Sequence, residues 1–573
     1  MKFNLQSRIG KVVARTVLSI LLFGASIISS GQTPVPGGNV SGTWNASGSP
    51  YQIQGSIMVP DGSTLTIDPG VTVNFQGHYK FLVLGRLLAI GTESLNIVIT
   101  ASNQSTGWYG LRFDNNSASN DSSILEYCEM SYGRITDPDN SGGAIDIIGF
   151  SKVRVSNCHI HNNYALLYGG GIDIMSCDPV ITNNIIEWNT ADFAAATLNG
   201  GGGISLFESN ATISGNTIRH NSSASGVGGG AVFFTSSAPL ISNNIIINNT
   251  NTNDTYNGDG GGGGIFADGS ATIIDNTISN NTSGGYTGRG GGIYFYWNDN
   301  STLINNTITN NSTSGTVAGG GGIFCMWNCN PVFTNNTIAN NSTTGDGGAL
   351  HCYSSSNPVF RNCIFYGNTA GGDTNQVYLY SEDSDPDFYY CDVQRGVAGF
   401  SLNGNFYTGH YENNIDNKPL FAWPSKGSGS GYNGATAGWG LLSPSPCINT
   451  GDPGGTYPAT DKAGNPRVVN GIIDMGAYEY LYPVGITGTG DDQHAVVYPN
   501  PFSTSTVIRF AKDVSGCTLQ IGDVSGRILK SIRDISGDHV IIEKEDLGPG
   551  IYFYKLLSGN TLIASGRLVV AGD

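Results

Sequence analysis

Residues Gly319–Asn341 read GGGGIFCMWNCNPVFTNNTIANN, and this pattern recurs along the chain. In each copy a Gly run is followed by an apolar residue, and successive copies are 27 to 33 residues apart. Self-similarity at a period of about 20–50 residues, with short β-like runs inside each copy, predicts a solenoid. The apolar residues that follow the Gly runs are Ile145, Ile172, Ile204, Val232, Ile265, Ile293, Ile323, Leu350 and Val377.

Composition favours stacked short strands over other fibrous or unfolded classes. The chain has 573 residues, of which 83 are Gly, and only 12% are charged. No G-X-Y period is present, so collagen is excluded, and a 39% hydrophobic share is too high for a disordered chain. The net charge of −17 argues against nucleic acid as a partner, because phosphate binding requires basic patches.

Each copy contains three short strand candidates, for example Ile323–Met326, Pro331–Thr334 and Asn336–Ala339. Such strands, joined by turns and repeated at about 30 residues, predict an all-β, right-handed parallel β-helix. Parallel strands stack about 4.8 Å apart, so equal positions in successive coils should touch.

Two columns of Asn are expected to form hydrogen-bonded ladders between coils, because a buried side-chain amide requires partners. In the second column Cys replaces Asn at both ends. This places Cys128 near Cys158 and Cys363 near Cys391, where two interpretations stay open: disulfides, or small buried hydrophobic side chains. The first column includes Asn189, Asn221, Asn249, Asn281, Asn311 and Asn341, and the second Asn184, Asn216, Asn244, Asn276, Asn306 and Asn336.

The sequence divides into six segments. Residues 1–31 have a basic start, a short apolar stretch and small residues, which predicts a secretory signal peptide. Residues 32–102 are expected to form the N-terminal cap and first coils, and 103–395 the regular β-helix. Residues 396–480 are expected to form irregular C-terminal coils and a cap, 481–496 a linker, and 497–573 a small antiparallel β-sandwich. Long connections at Thr190–Gly203 and Thr250–Gly264 are expected to project from one side.

Two C-terminal stretches resemble known families of exported proteins. Ser445–Ile448, Thr460-Asp461, Gly464–Arg467 and Asp474–Glu479 resemble a choice-of-anchor Q segment, which implies a cap on an exported, anchored protein. The tail, with VYPNPF at Val497–Phe502 and Gly550-Ile551-Tyr552, is similar to the C-terminal sorting domain of type IX secretion substrates. That resemblance implies a secreted or outer-surface location, the secretion machinery as a partner, and a mature protein that does not span the membrane.

The repeat region resembles the pectate-lyase-like superfamily, which includes polysaccharide lyases, glycoside hydrolases and non-catalytic adhesins. Lyases of that kind require clustered carboxylates for calcium and a basic residue near the sugar. Asp146 and Asp173 occupy the same outward position in adjacent coils, where they could hold calcium or serve as acid and base. The alternative is that both are solvated outer-face residues. No other metal or cofactor is expected.

The same outward column continues beyond the two Asp residues as a row of aromatic residues. Rings on an open sheet face can stack on sugar rings, whereas rings that stack on one another or lie under loops would be structural. We therefore predict carbohydrate binding or adhesion, with a lyase or hydrolase and a structural spacer as alternatives, and leave open whether the protein is an enzyme. The carbohydrate-binding candidates are Phe233, Phe266, Tyr294, Tyr296, Trp297, Phe324, Trp327, Tyr353 and Tyr378.

Overall fold

The computed structural model describes residues 32–571, apart from residues 138–140, 193–199, 225–226, 254–259, 372, 374, 456, 470, 482–494, 524–526, 545–546 and 560. The predicted signal peptide, most of the predicted linker and the central parts of both long connections lie outside the described residues. Among the described residues, no helix is long and apolar enough to cross a membrane.

The described chain forms a parallel β-helix with three sheets of 14 strands each and a fourth sheet of nine. Within a repeated coil the chain passes through sheets B, C, A and D in that order, and each strand pairs in parallel with its counterpart in the next coil. Sheet A consists of Thr33–Val35, Tyr51–Ile53, Thr72–Phe75, Ile97–Ala101, Cys128–Ser131, His159–His161, Ile185–Glu187, Thr217–Arg219, Ile245–Ile247, Thr277–Ser279, Thr307–Thr309, Thr337–Ala339, Ile364–Tyr366 and Asp392–Val393.

Sheets B and C complete the three main walls. Sheet B consists of Gly38–Asn39, Ile57–Val59, Phe81–Val83, Leu111–Asp114, Ile145–Ile148, Ile172–Met175, Ile204–Phe207, Val232–Ser237, Ile265–Gly269, Ile293–Tyr296, Ile323–Met326, Leu350–Tyr353, Val377–Leu379 and Phe400–Ser401. Sheet C consists of Gly42–Trp44, Thr64–Ile67, Arg86–Ile90, Ser123–Glu126, Val153–Ser156, Val180–Thr182, Thr212–Ser214, Leu240–Ser242, Thr272–Ile274, Thr302–Ile304, Val332–Thr334, Val359–Arg361, Asp387–Tyr389 and Tyr411–Glu412.

Sheet D is a narrow wall of strands that are mostly two residues long, and it precedes the Gly run in each coil. The sequence predicts three strands per coil and misses this fourth one. Sheet D consists of Arg134–Ile135, Tyr164–Ala165, Thr190–Ala191, Ser222–Ser223, Thr250–Asn253, Thr282–Gly285, Ser312–Thr313, Ser342–Thr343 and Thr369–Ala370. Two short 3-10 helices, Ala46–Gly48 and Gly396–Gly399, lie near the two ends of the array.

The interior combines one continuous apolar core with two Asn ladders. Alternate residues of each strand, such as Ile323 and Ile338, point inward and are fully buried. In the first ladder Asn311 Nδ2 donates to Asn341 Oδ1 at 3.0 Å, and Asn311 Oδ1 accepts from Asn281 N at 3.0 Å. Buried backbone and side-chain amides at the coil corners are thereby paired from one coil to the next.

The second ladder ends in cysteines that act as weaker acceptors in place of Asn oxygen. Cys128 N donates to Cys158 Sγ and Cys363 N to Cys391 Sγ, each at 3.4 Å. All ten cysteines are buried free thiols, so the structure has no disulfide at either predicted pair.

Much of residues 417–480 lies along the outer face of sheet A; we call this segment the side strap. Asn340 and Asn310 donate side-chain N–H groups to the carbonyls of Ser425 and Gly427, at 3.1 and 2.9 Å. Asn335 Nδ2 donates to Asp474 O at 3.1 Å. The sequence assigns this segment to coils and a cap, whereas its described contacts extend along the side of the helix. It contains one antiparallel pair, Phe421–Trp423 with Gly438–Leu441.

The motif residues of the side strap form a polar cluster around a buried ion pair. Arg467 Nη1 donates to Glu479 Oε1 at 2.8 Å, and both side chains are almost completely buried. Asp461 accepts from the backbone N–H groups of Asn465 and Glu479 at 2.7 and 2.8 Å. The ion pair and these hydrogen bonds tie the motif residues to one another, and bonds to charged groups are stronger than those between neutral groups.

The C-terminal unit is an antiparallel sheet of five strands. Its strands are Val496–Tyr498, Ser505–Gly522, Ile528–Glu543, Gly550–Ser558 and Thr561–Val570, and they enclose a separate small core.

Candidate functional site

The outer face of sheet B carries two columns of side chains. The one here called the inner column contains the two Asp residues and the aromatic row that continues from them, and the other contains Tyr296, Met326 and Tyr353. The β-ladder pairs the residues of the inner column in register, so each side chain touches its neighbours in adjacent coils. The column is polar at its start and aromatic further along. In order it contains Arg112, Asp146, Asp173, Ser205, Phe233, Phe266, Tyr294, Phe324, His351 and Tyr378.

Asp146 and Asp173 are buried, each with only 1% of its surface exposed. Arg112 forms an ion pair with Asp146. Burial raises the pKa of Asp146 to about 7, although the Arg112 guanidinium opposes the shift. Burial and the neighbouring Asp146 carboxylate raise the pKa of Asp173 well above its usual range. The expectation of an accessible acid–base pair is therefore wrong, because the chain covers this part of the outer face.

The same burial argues against calcium at the pair. Calcium takes six to eight oxygen ligands. Two carboxylates supply at most about four, so several further oxygens would be required. Arg112 already neutralises one of the two carboxylates here. Among the residues that the structure describes, no three His, Cys, Asp or Glu side chains are placed to hold a metal ion together. The residues at this position do not fit a calcium ion.

The aromatic part of the inner column is also covered. Phe233, Phe266 and Tyr294 are completely buried, and Phe324 and Tyr378 are 3% and 8% exposed. The rings pack against one another. Phe233 and Phe266 are stacked with centroids 5.0 Å apart, and Tyr294 meets Phe266 and Phe324 edge to face. The prediction that these five rings form an open glycan-binding face is wrong. With Val227 and Met326, the first four form a second apolar cluster outside the helix core, here called the aromatic cluster.

The Gly run of each coil is part of what covers this column. A Cβ placed on Gly319 would lie 2.4 Å from His351 Nδ1 and 3.0 Å from the Phe324 ring, so the backbone lies directly against these side chains. Arg289 completes the cover: its guanidinium lies over the Phe324 ring at 5.2 Å and contacts Tyr294 and Met326. Burial and the nearby Arg289 lower the pKa of His351 to about 3, so this histidine is neutral.

An accessible site exists where sheet B ends and the chain turns toward sheet C. An open groove of about 280 Å³ is lined there by Trp297, Asn298, Trp327, Asn328, Ser354 and Ser355, which belong to three successive coils. We call it the tryptophan groove. Trp297 is 57% exposed, and its ring centroid is 5.5 Å from that of Trp327 with the ring planes at 81°. The groove therefore presents an aromatic surface bordered by amides and hydroxyls.

Hydrogen bonds between coils fix the groove. Asn328 Nδ2 donates to Asn298 Oδ1 at 2.7 Å, and Asn298 N donates to Trp327 O at 2.9 Å. On the third coil, Ser354 N donates to Ser381 Oγ at 3.0 Å. The side chains are consequently held at fixed spacing along the helix axis, which is a requirement for a preorganised binding surface.

The backbone of the groove is in a conformation that large side chains rarely adopt. Trp297 and Asn298 have φ of 50° and 61°, and Trp327 and Asn328 have φ of 63° and 59°. The left-handed region costs about 1–2 kcal/mol for an L-residue, and Asn tolerates it better than Trp does. Positive φ recurs directly after the sheet-B strand in other coils, at Ser176, Glu208 and Ser354, so it belongs to the turn of the β-helix. The groove differs from those turns in having Trp at this position on two adjacent coils.

The structure thus brings together only part of the predicted carbohydrate-binding set. Trp297 and Trp327 line the groove. Trp327 is also half-buried against the aromatic cluster, as are Tyr296 and Tyr353. The carbohydrate-binding set predicted from the sequence does not include Asn298, Asn328, Ser354 and Ser355. A signal was present for the two amides, because a Trp-Asn pair follows the sheet-B strand in two consecutive coils.

A second polar surface lies on sheet A, ahead of the side strap. Glu187 accepts from Arg219 Nε at 2.6 Å and bonds His159 Nε2 at 2.8 Å. Trp188, which is 53% exposed, stacks on His220 with centroids 4.3 Å apart. His159 is on a different sheet from the two buried Asp residues, and its carboxylate partner is Glu187.

Comparisons with known proteins address the fold and the tail. The family model described as "Right handed beta helix region" matches residues 87–285 and 250–393, which together span more than half of the chain. The one described as "Secretion system C-terminal sorting domain" matches residues 496–571. No curated protein matches the chain. Among solved structures, the crystal structure of pectate lyase Pel9A is similar at 14% identity, with a TM-score of 0.32, over 74% of this chain and 88% of that one. So low a score carries no argument about function.

Proposed function

The chain belongs to the right-handed β-helix family, and we propose that it uses one side of the helix, the tryptophan groove, to bind extended carbohydrate. The predictions of a right-handed parallel β-helix and of a type IX sorting domain are confirmed. The sorting domain marks the chain for export and for attachment at the cell surface or secretion, and it implies contact with the secretion machinery. A groove on such a protein meets the polymers outside the cell.

The observation that carries the proposal is that Trp297 and Trp327, on adjacent coils, line one open groove together with amides and hydroxyls. Aromatic rings bordered by amides and hydroxyls are suited to sugars, which have apolar ring faces and polar edges. The groove crosses three coils at about 4.8 Å each, so it follows the helix axis for roughly 10 Å. An extended polymer can lie along such an open groove.

The lyase or hydrolase alternative depends on Asp146 and Asp173, and its support is weaker. Both carboxylates are covered by protein and one is paired with Arg112, so a sugar cannot reach either without local opening. The remaining alternative, a structural spacer, predicts that no glycan binds.

The test is retention of the protein on immobilised polysaccharides, compared with a Trp297→Ala/Trp327→Ala variant. We expect the double variant to lose at least tenfold in affinity, because removing large aromatic anchors from a site commonly costs more than about 1.4 kcal/mol. Trp188→Ala is the matched control, since it removes an equally exposed tryptophan from a different sheet. The control should bind like the wild type.

Three outcomes would separate the candidates. Equal affinity of the double variant and the wild type would exclude the groove as the binding site. Failure of the wild type to bind any polymer would favour the spacer. Release of unsaturated or reducing sugar ends, abolished by Asp173→Ala, would instead favour the enzyme.

A further inference from the structure

We infer that the tryptophan groove selects uncharged polysaccharides and rejects polymers of uronic acids. This inference rests on the proposed function, because it names the class of carbohydrate that the same groove binds. Uronic acid polymers carry a carboxylate on each sugar, so a protein site for them requires cationic side chains or bridging metal ions. The charges around the groove decide between the two classes of polymer.

None of the described residues that line the groove is cationic. The sequence contains no Lys or Arg from residue 290 to residue 360, a stretch that includes all six residues that line the groove. The segments between residues 138 and 494 that the structure leaves undescribed contain none either. A carboxylate bound here would therefore lose its hydration without gaining an ionic partner.

The two arginines that border this stretch of sequence are engaged elsewhere. Arg289 is held in the aromatic cluster, over the Phe324 ring and against Met326. Arg361 lies on sheet C, where its guanidinium covers the Tyr389 ring at 4.3 Å and pairs with Asp452. Neither side chain borders the groove.

A negative charge adjoins the groove on its third coil. Asp383 Oδ1 accepts from Ser355 N at 3.1 Å, and the Ser355 hydroxyl donates to Asp383 Oδ2. These hydrogen bonds hold the pKa of Asp383 below its usual range, so the side chain is a carboxylate at neutral pH. A uronate next to Ser355 would meet a like charge, which costs about 1 kcal/mol at contact distance even in water.

The groups that do line the groove match neutral hydroxyls. An amide side chain offers donors and an acceptor, and a serine hydroxyl both donates and accepts. Asn298 and Asn328 use one donor and one acceptor for their mutual bond, and both residues are exposed. Sugar hydroxyls can pair with such groups in either direction, so no charge is required on the polymer.

The test compares retention on neutral polymers (a β-glucan, a xylan and a mannan) with retention on polygalacturonate and alginate, using the full exported chain. The uronate measurements are made with and without calcium and at two salt concentrations, because screening weakens charge repulsion between exposed groups. We expect at least tenfold tighter binding to one of the neutral polymers than to either uronate.

Variants identify the source of the selectivity. Asp383→Lys should raise retention on uronates severalfold, and Asp383→Asn, which preserves the shape, should raise it less. Glu93→Lys makes the same charge change as Asp383→Lys, but at an exposed residue of the N-terminal coils. It should leave retention on uronates and on neutral polymers unchanged. Uronates binding as tightly as neutral polymers would overturn the inference alone. No binding to any polymer would overturn the proposed function, and the inference with it.

Discussion

At the scale of single residues, the stacked column of sheet B buries two carboxyl groups beside a single guanidinium. Asp146 and Asp173 are neighbours in the β-ladder, and only Arg112 offers a positive partner beside them. Asp173 Oδ1 has no hydrogen-bond partner among the described residues. One carboxylate can be neutralised by the guanidinium, while the other is most stable when it keeps its proton.

Because the folded state keeps a proton that the unfolded chain releases near pH 4, wild-type stability should fall as pH rises from about 4 through 7. Each retained proton contributes a slope of about 1.4 kcal/mol per pH unit. Asp173→Asn cannot titrate, so its free energy of unfolding, relative to wild type, should increase from pH 5 to pH 8. Urea denaturation at these two pH values measures the difference.

Glu93→Gln serves as the control, because this exposed carboxyl is in the first coils. It should leave the pH slope of the wild type unchanged. If Asp173→Asn retains the full slope, Asp173 is ionised in the folded protein and its assigned pKa shift is wrong.

The sequence predicts which way a residue points but not whether the chain covers it. Alternation along a strand placed Asp146, Phe233 and Tyr294 correctly on the outer side of sheet B. Their burial depends on the path of the Gly runs across that side, which no pattern within the strand encodes. The prediction that Trp297 is exposed holds because this residue follows the strand and lies beyond the part of sheet B that the Gly runs cover.

At the scale of elements, the Gly runs pack against the neighbouring coil with no space for a side chain. A Cβ on Gly291 would lie 2.4 Å from Gly321 O and 2.6 Å from Ser312 O. Both contacts are to backbone in the adjacent coil, where no side-chain rotamer can relieve the clash. The runs are therefore required for coil-to-coil contact.

Gly291→Ala should accordingly destabilise the β-helix by about 1–3 kcal/mol or more, the range for forcing extra volume into a packed interior. Chemical denaturation followed by circular dichroism measures the loss. Gly431→Ala is the matched control, because nothing lies within 4 Å of a Cβ at that position and its φ is not positive. Equal stability of the two variants would contradict the close packing of the runs.

The strands differ in how well the sequence predicts them. Strands of sheets A, B and C were predicted because their apolar residues recur in register with Asn and Gly. The strands of sheet D are mostly two residues long, too short to show alternation, and only their backbone pairing reveals them.

At the scale of the whole molecule, the side strap joins residues separated by more than 100 positions. Asn305 and Asn310 are bonded to Thr460 and Gly427, and the buried Arg467–Glu479 pair stabilises the strap itself. Its carbonyls are held by turn asparagines of the helix. The sequence motif is visible, but its contacts are non-local, so the position of the strap could not be inferred from it.

Arg467→Leu should loosen the strap while leaving the coils folded. It removes one partner of a buried ion pair, a change that costs about 3–5 kcal/mol, because Glu479 stays buried without its cation. Hydrogen exchange should rise across residues 417–480 and stay slow in sheets A, B and C.

Arg395→Leu breaks an exposed pair with Asp373 and should have almost no effect on exchange. Adding Glu479→Leu to Arg467→Leu should restore part of the protection, since no unpaired charge is then buried. Unchanged exchange in the strap of the single Arg467 variant would contradict the anchoring role of the pair.

Because the coils repeat at a fixed spacing, the number of coils sets the distance between the N-terminal end and the groove. The tryptophan groove lies directly after the tenth to twelfth strands of sheet B, so nine coils separate it from the N-terminal end, or about 43 Å at 4.8 Å per coil. Duplicating or deleting a whole coil upstream preserves every ladder contact and shifts the groove by one step. Related proteins could therefore adjust how far they reach in increments of one coil, without redesigning the site that they carry.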